Sequence, residues 1–462
     1  MSATGTAPAQ LRTDLLGHPR GLAYLSVSEG WERFSFLGMQ SLLVLYMTHQ
    51  LLLPGHVEHV LGFSTLRSMI EGAGGPLSSA ALASRIFGLY AGLIYVTPLI
   101  GGLVADRWVS RTKVVASGAI LMAIGHFLMA WEQTFLPAMV LLLAGCGGFK
   151  GNISSQVGGL YAPEDPRRIT AFQVFQLGIS ISAIASPLVC GTLGEKVAWH
   201  YGFAAAGFGM LIGLAVYLKG VKWLPEQQAR ASKREAEAGR LSVREWKTVL
   251  LLIAMVPLLA ATQVGNQQMF NAFVVWGEKN FDLRLAGFEM PVTWLLSADA
   301  AISVAMMTLS IWVWGTCRKA GKEPEDIVKI VIGAVVMATA PFILALASLQ
   351  LAAGGKISIG WGVAFEVINE IGFVVIIPAN LSLYSRAAPK RVQGLMLGVY
   401  LLSLFGANLS VGWLGALLEQ MTSARFWLLH AAIVSVAAIL LMAIAKWGRQ
   451  LLTPAREELL AS

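Results

Sequence analysis

Glu29, Glu32 and Arg33 stand three and four residues apart in SEGWERFSFLGMQ, residues 28 to 40, between the apolar flanks GLAYLSVS and SLLVLYM. At that spacing a helix places all three on one face. Two carboxylates and one guanidinium leave one negative charge over. Lys150, in GCGGFKGNISSQ, is the one cation deep inside an apolar stretch of the same half of the chain that can balance it. The chemistry open to such a group is proton transfer. A carboxylate in a low dielectric resists ionisation and a neighbouring Lys or Arg restores it, so a changing partnership turns geometry into proton uptake or release. The competing reading is a fixed ion cluster that only orients helices, although buried pairs stabilise poorly compared with apolar packing.

A second set of acids lies further along the chain. In VAFEVINEIGFVVIIP, Glu366 and Glu370 are four apart on one helical face, and Pro378 is expected to kink the helix beyond them. Asp299 falls about 12 Å in from Pro291 at ~1.5 Å per residue. These acids suit a substrate amine or a second proton; pairing with polar neighbours such as Asn369, or with water, competes equally. The polar run QVGNQQMFN, which contains Gln267, either lines the same cavity or bonds helices together. His126 reads as a neutral packed histidine.

The elements that hold these residues follow from composition. The 462 residues are 56% hydrophobic and 13% charged, with a mean hydropathy of +0.66. A soluble chain carries about a quarter charged residues, so this one cannot cover itself with a polar surface and is an integral membrane protein. Each crossing takes about 20 apolar residues. Twelve such stretches fit, near 21–49, 81–105, 112–131, 135–161, 168–194, 197–219, 246–277, 291–316, 326–350, 357–385, 392–419 and 425–447. The reading is therefore all-α, with 12 transmembrane helices.

Net charge is +8, but Arg107, Arg111, Lys113, Arg167, Arg168, Lys219, Lys222, Arg318, Lys319, Lys322, Lys390 and Arg391 fall on alternate loops. That bias puts both termini in the cytoplasm and speaks against nucleic acid as a partner. The first 20 residues show no apolar signal-peptide core, so no removable leader is expected. Cys146, Cys190 and Cys317 give neither a disulfide framework nor a zinc pattern. The charged stretch 221–245 separates an N-terminal six-helix bundle, 1–220, from a C-terminal one, 246–462, and reads as a solvated or surface-lying linker. Residues 50–80 read as an external connection. Small-xxx-small pairs in GLYAG, GGFKG and GMLIG allow close helix contact. Enzymatic readings fail: GCGGFKGN lacks the G-K-[ST] ending of a phosphate loop, and no H-E-x-x-H or G-x-S-x-G occurs.

Several motifs together resemble the proton-dependent oligopeptide transporter family of the major facilitator superfamily. They are EGWERF, with its E-x-x-E-R-F pattern; YAGLIYVTPLIGGLVADR, from Tyr90 to Arg107; Lys150 in GGFKGN; AFQVFQLGISISAIASPLVCGTLGE; and PANLSLYSRAAPKRVQGLMLG. The match runs through most of the chain. The resemblance implies the major facilitator fold and alternating-access symport of di- and tripeptides with protons across the cell membrane, powered by the proton gradient without a cofactor or metal. It implies proton coupling by Glu29, Glu32, Arg33 and Lys150, with Arg33 and Lys150 near the peptide carboxylate. Tyr90, Ser180, Gln267, Asp299, Glu370 and Tyr400 are the further substrate-contact candidates, and Asp106, Arg107 and Glu278 the gating candidates. This chain departs from the family pattern at Phe36, Leu37, Gln40, Gln176, Ser180, Asp299 and Phe373, the last standing where the family has the glutamate for the peptide amine. Glu370 or Asp299 is then the replacement, or the solute is another small organic or anionic molecule. A non-transporting receptor or assembly subunit is the alternative of a different class.

Overall fold

The computed structural model describes residues 13–452 except 16, 73, 163–164, 226–240, 286 and 352–353, so most of the expected linker lies outside the described residues. Among the described residues, twelve α-helices have 18 or more residues. They are α1 (Arg20–Tyr46), α2 (Ser79–Arg107), α3 (Arg111–Leu128), α4 (Phe135–Gly159), α5 (Arg167–Ser186) and α6 (Trp199–Gly220), then α7 (Val243–Gln267), α8 (Trp294–Lys319), α9 (Asp326–Gln350), α10 (Gly360–Ala387), α11 (Gln393–Gly415) and α12 (Ser423–Trp447). Each overlaps one expected stretch. Ten, all but α1 and α3, are long and apolar enough to cross a membrane. Glu29, Glu32 and Arg33 lower the apolarity of α1, while Arg111, Lys113 and His126 do so in the short α3.

Local chemistry sets several ends. Ser242 accepts from Glu245 N and Glu245 reaches back to Ser242 N, a reciprocal cap at the start of α7. Ser78 and Thr422 cap α2 and α12 in the simpler way. Pro98, Pro257, Pro341 and Pro378 sit inside helices, which membrane segments tolerate because neighbours re-satisfy the freed carbonyls.

Three segments are less regular than periodicity suggests. A π-turn, Met47–Leu51, extends α1, and the connection to α2 carries its own helix, Phe63–Glu71. α5 is prolonged by a π-turn, Pro187–Gly191, and a short helix, Thr192–Lys196. α7 breaks at a 3-10 turn, Gln268–Phe270, before Ala272–Asn280 resumes.

Within the first six helices α1 packs on α5 and α6, α3 on α4 and α6, and α2 on α4; within the last six, α9 packs on α10 and α12, α7 on α11 and α12, and α8 on α10. α2 on α11 and α5 on α8 join the two sets. At the α2–α11 crossing the backbones touch: a Cβ added to Gly88 would lie 2.6 Å from Asn408 O and Gly412 Cα. The hydrogen bonds between the sets gather at the end of the molecule remote from Arg20. There Ser84 Oγ donates to Asn271 Oδ1 at 3.0 Å, Ser78 meets Glu419, His49 meets Glu278, and Glu195 meets Val292 and Thr293. We refer to it as the far end.

Candidate functional site

α1 carries Glu29, Glu32 and Arg33 on its buried face, with 2%, 0% and 6% exposure. Arg33 Nε donates to Glu29 Oε1 at 2.9 Å and is ion-paired with Glu32 Oε2 at 2.7 Å. The second Glu29 oxygen and Arg33 Nη2 make no hydrogen bond among the described residues. One guanidinium thus serves two carboxylates and leaves acceptor capacity unused. Such a cluster is expensive to bury unless a further charge or proton completes it.

Lys150 is positioned by α4 beside this cluster, but the arrangement differs from a direct pair. Among the described residues it makes no ion pair within 4.0 Å with either acid. Its Nζ lies 5.3 Å from the ring centre of Tyr95 on α2 and 5.7 Å from that of Phe36 on α1. The Arg33 guanidinium carbon is also 5.7 Å from the Phe36 ring centre. Phe36, a departure from the family pattern, therefore lies within cation–π distance of both cations. Among the described residues no acid contacts the Lys150 amine, which leaves it a partner to offer an incoming anion.

In the second half, Asp299 on α8 faces Glu366 and Glu370 on α10 closely enough for the three carboxyls to interact electrostatically. Glu370 Oε1 accepts from Asn266 Nδ2 at 2.9 Å, and Asn266 Oδ1 accepts from Gln267 Nε2 at 3.2 Å, so a polar chain runs from half-buried Gln267 to buried Glu370. Neither Glu366 oxygen has a hydrogen-bond partner among the described residues. Asn369, considered from sequence as a partner for these acids, makes no side-chain hydrogen bond. The rest of the polar run, in the break beyond α7, ties helices together: Gln268 and Asn271 donate to Val411 O on α11 at 3.3 Å each.

The remaining candidates are spread out. Ser180 is half-buried on α5. Tyr90 is buried in α2 without a partner for its hydroxyl, and Tyr400 is buried with its ring 5.5 Å from that of Tyr384. Asp106 pairs with Arg111 Nη2 at 2.5 Å, inside the first set of helices, and Arg107 is exposed at the end of α2. Glu278 meets His49 Nε2 at 2.7 Å, with the imidazole stacked 4° from parallel on Trp199. His49 is on the first half and Glu278 on the second, so the pair joins the two sets, whereas Gln40 is buried earlier on α1. His126 is buried, with neither ring nitrogen bonded among the described residues.

Tyr95, His49, Asn266 and Glu195 were not singled out by sequence reasoning. Tyr95 lies within YAGLIYVTP, His49 one helical turn beyond the apolar run of α1, Asn266 within the polar run QVGNQQMFN and Glu195 at the end of AFQVFQLGISISAIASPLVCGTLGE, so each had a positional signal, while their partners had none. Outside the membrane helices, Glu323 in the α8–α9 connection accepts from Arg318 Nε at 2.7 Å and from Lys329 Nζ at 2.6 Å. Those bonds, Arg318 first, hold its carboxyl down at about 2.

The family model described as the POT family matches residues 112–258 and 240–429. A peptide transporter of Yersinia enterocolitica is 27% identical over 93% of this chain and 94% of its own. A di-/tripeptide transporter of Lactococcus lactis subsp. cremoris is 24% identical over 93% of this chain and 96% of its own. In fold the chain is similar to the crystal structure of a peptide transporter POT in complex with sulfate, with a TM-score of 0.83 at 24% identity, covering 96% of this chain and 98% of that one.

Proposed function

The chain belongs to the POT family, and from that premise we propose that it carries di- and tripeptides into the cell together with protons, by alternating access. It is a multi-pass membrane transporter and not an enzyme. The observation that carries the coupling is the shared guanidinium: Arg33 serves both Glu29 and Glu32 while Lys150 faces aromatic rings and no carboxylate. A peptide carboxylate arriving at Lys150 and Arg33 competes with the two acids for positive charge, and a proton on Glu32 relieves that competition. Peptide and proton are then bound together or not at all. Substrate contacts from Arg33, Lys150, Tyr90, Ser180 and Tyr400, with Gln267, Asp299 and Glu370 toward the amine, complete this reading, as does gating by Glu278, Asp106 and Arg107.

The finer architecture belongs to the same proposal. All twelve long helices cross the cell membrane as two six-helix bundles, 1–220 and 246–462, joined by 221–245, with both termini cytoplasmic. The alternation of basic loops supports that orientation and makes the far end the outer one.

The test is uptake of a peptide panel into proteoliposomes, with and without an inward proton gradient. Gradient-stimulated peptide uptake is expected, and uptake indifferent to the gradient would sink the proposal. One observation favours a second reading, proton symport of another small organic or anionic solute. The acids in reach of an amine are closed in, with Glu370 held by Asn266 and 1% exposed, while Lys150 is half-buried and has no ion pair among the described residues. Non-peptide anions that outcompete the peptides would decide for it.

A further inference from the structure

α8 starts at Trp294 with no side-chain cap of its own. The amides of Trp294, Leu295 and Leu296 donate to the carbonyls of Pro291, Val292 and Thr293, and the two amides just before the helix are bonded from the other half of the molecule. Glu195, at the end of the chain leaving α5, accepts from Val292 N at 2.9 Å, Thr293 N at 3.0 Å and Thr293 Oγ1 at 2.5 Å. One turn earlier, Thr192 Oγ1 accepts from Trp294 Nε1 at 2.8 Å. The approach is close enough to require glycine, since a Cβ on Gly191 would fall 2.0 Å from Thr293 Oγ1. The π-turn Pro187–Gly191 redirects the end of α5 onto this position.

A carboxylate at a helix N-terminus meets both unpaired N–H groups and the positive end of the helix dipole. Here the carboxylate belongs to one six-helix set and the helix to the other. These bonds therefore exist only while the far end is shut. We propose that Glu195 is a positioning residue for the transport cycle: a cap supplied across the two halves that holds the far end closed and must be released each time that end opens. Its removal leaves the Val292 and Thr293 amides without their acceptor, a cost confined to the closed state, so the equilibrium moves toward the open one.

The test is a distance measurement on the full-length protein, with spin labels at positions 200 and 284, both exposed near the far end, on a background carrying Cys146→Ala, Cys190→Ala and Cys317→Ala. Glu195→Ala is expected to raise the ratio of wide to narrow populations roughly ten- to hundredfold, the range for losing a charge-assisted hydrogen bond. Gly191→Ala should raise it by a separate route, by driving Thr293 away. In proteoliposomes Glu195→Ala should lower both the apparent KM from the far side and the maximal counterflow rate, because the competent open state is enriched while closure slows. A merely structural role lowers the rate and leaves KM in place. Should Glu195→Ala fail to fold, Glu195→Gln is read in its place. A narrow distribution unchanged in the folded variant overturns the proposal. The distance readout needs no substrate, so its failure is distinguishable from a wrong assignment of the transported solute.

Discussion

At the scale of single residues, the division of labour around Arg33 makes definite demands. Glu32→Gln and Lys150→Ala are each expected to cut gradient-driven uptake by roughly tenfold or more while leaving counterflow near its original rate, since both remove a charge on which proton exchange depends. Equal loss of both activities would assign these residues to binding or folding. Glu370→Gln should weaken peptide displacement of a bound probe by roughly tenfold if that acid holds an amine. Displacement unchanged by the substitution moves the role to Asp299. Much of this set was legible in the sequence because ionised groups in an apolar helix are too expensive to be incidental, and spacing alone puts Glu29, Glu32 and Arg33 together. What Lys150 touches was not legible. Charge balance pointed it at the acids, whereas its neighbours Tyr95 and Phe36 come from helix crossings that no local pattern encodes.

At the scale of elements, apolar length located all twelve long helices, and the least predictable parts are where helices break. The α7 break at Gln268–Phe270 follows from side chains that spend their hydrogen bonds on Val411 O and His430, partners more than a hundred residues away. The α2–α11 crossing makes a sharper prediction. Gly88→Ala puts a methyl 2.6 Å from backbone atoms, which cannot rotate aside, so it should destabilise by about 1–3 kcal/mol. A fall in melting temperature in detergent, shared with Gly412→Ala, is the measurement. The α8–α9 connection gives a pH dependence. Glu323 has a lower pKa folded than unfolded, so its contribution is complete above the ordinary glutamate value of 4.5 and is lost as pH falls toward about 2. The melting difference between the unsubstituted protein and Glu323→Gln should therefore stay constant from roughly neutral pH down to about 5 and shrink below that. A difference that already vanishes near neutrality contradicts the assignment.

At the scale of the whole molecule, two sets of six helices meet through polar contacts at one end and through glycine at the α2–α11 crossing. The charged stretch 221–245 is what made two halves the expectation from sequence, and sequence could not show which end is shut, because that depends on which partners happen to be engaged. Replacing His49 by Gln should widen the far end less than Glu195→Ala, since its pair with Glu278 is partly exposed and weakened by solvent, with side-chain exposures of 38% and 33%. The same label pair measures both. The bare backbone contact at Gly88 and Gly412 has a mechanical meaning as well. Helices that touch without interlocking side chains have no ridges to hold one crossing angle, so the contact acts as a bearing. From Gly88 to Arg107 the lever is about 28 Å at ~1.5 Å per residue, and each degree of tilt sweeps its tip by about 0.5 Å. A tilt of about 10° at two glycines then moves the opposite end by about 5 Å, the width of an extended chain.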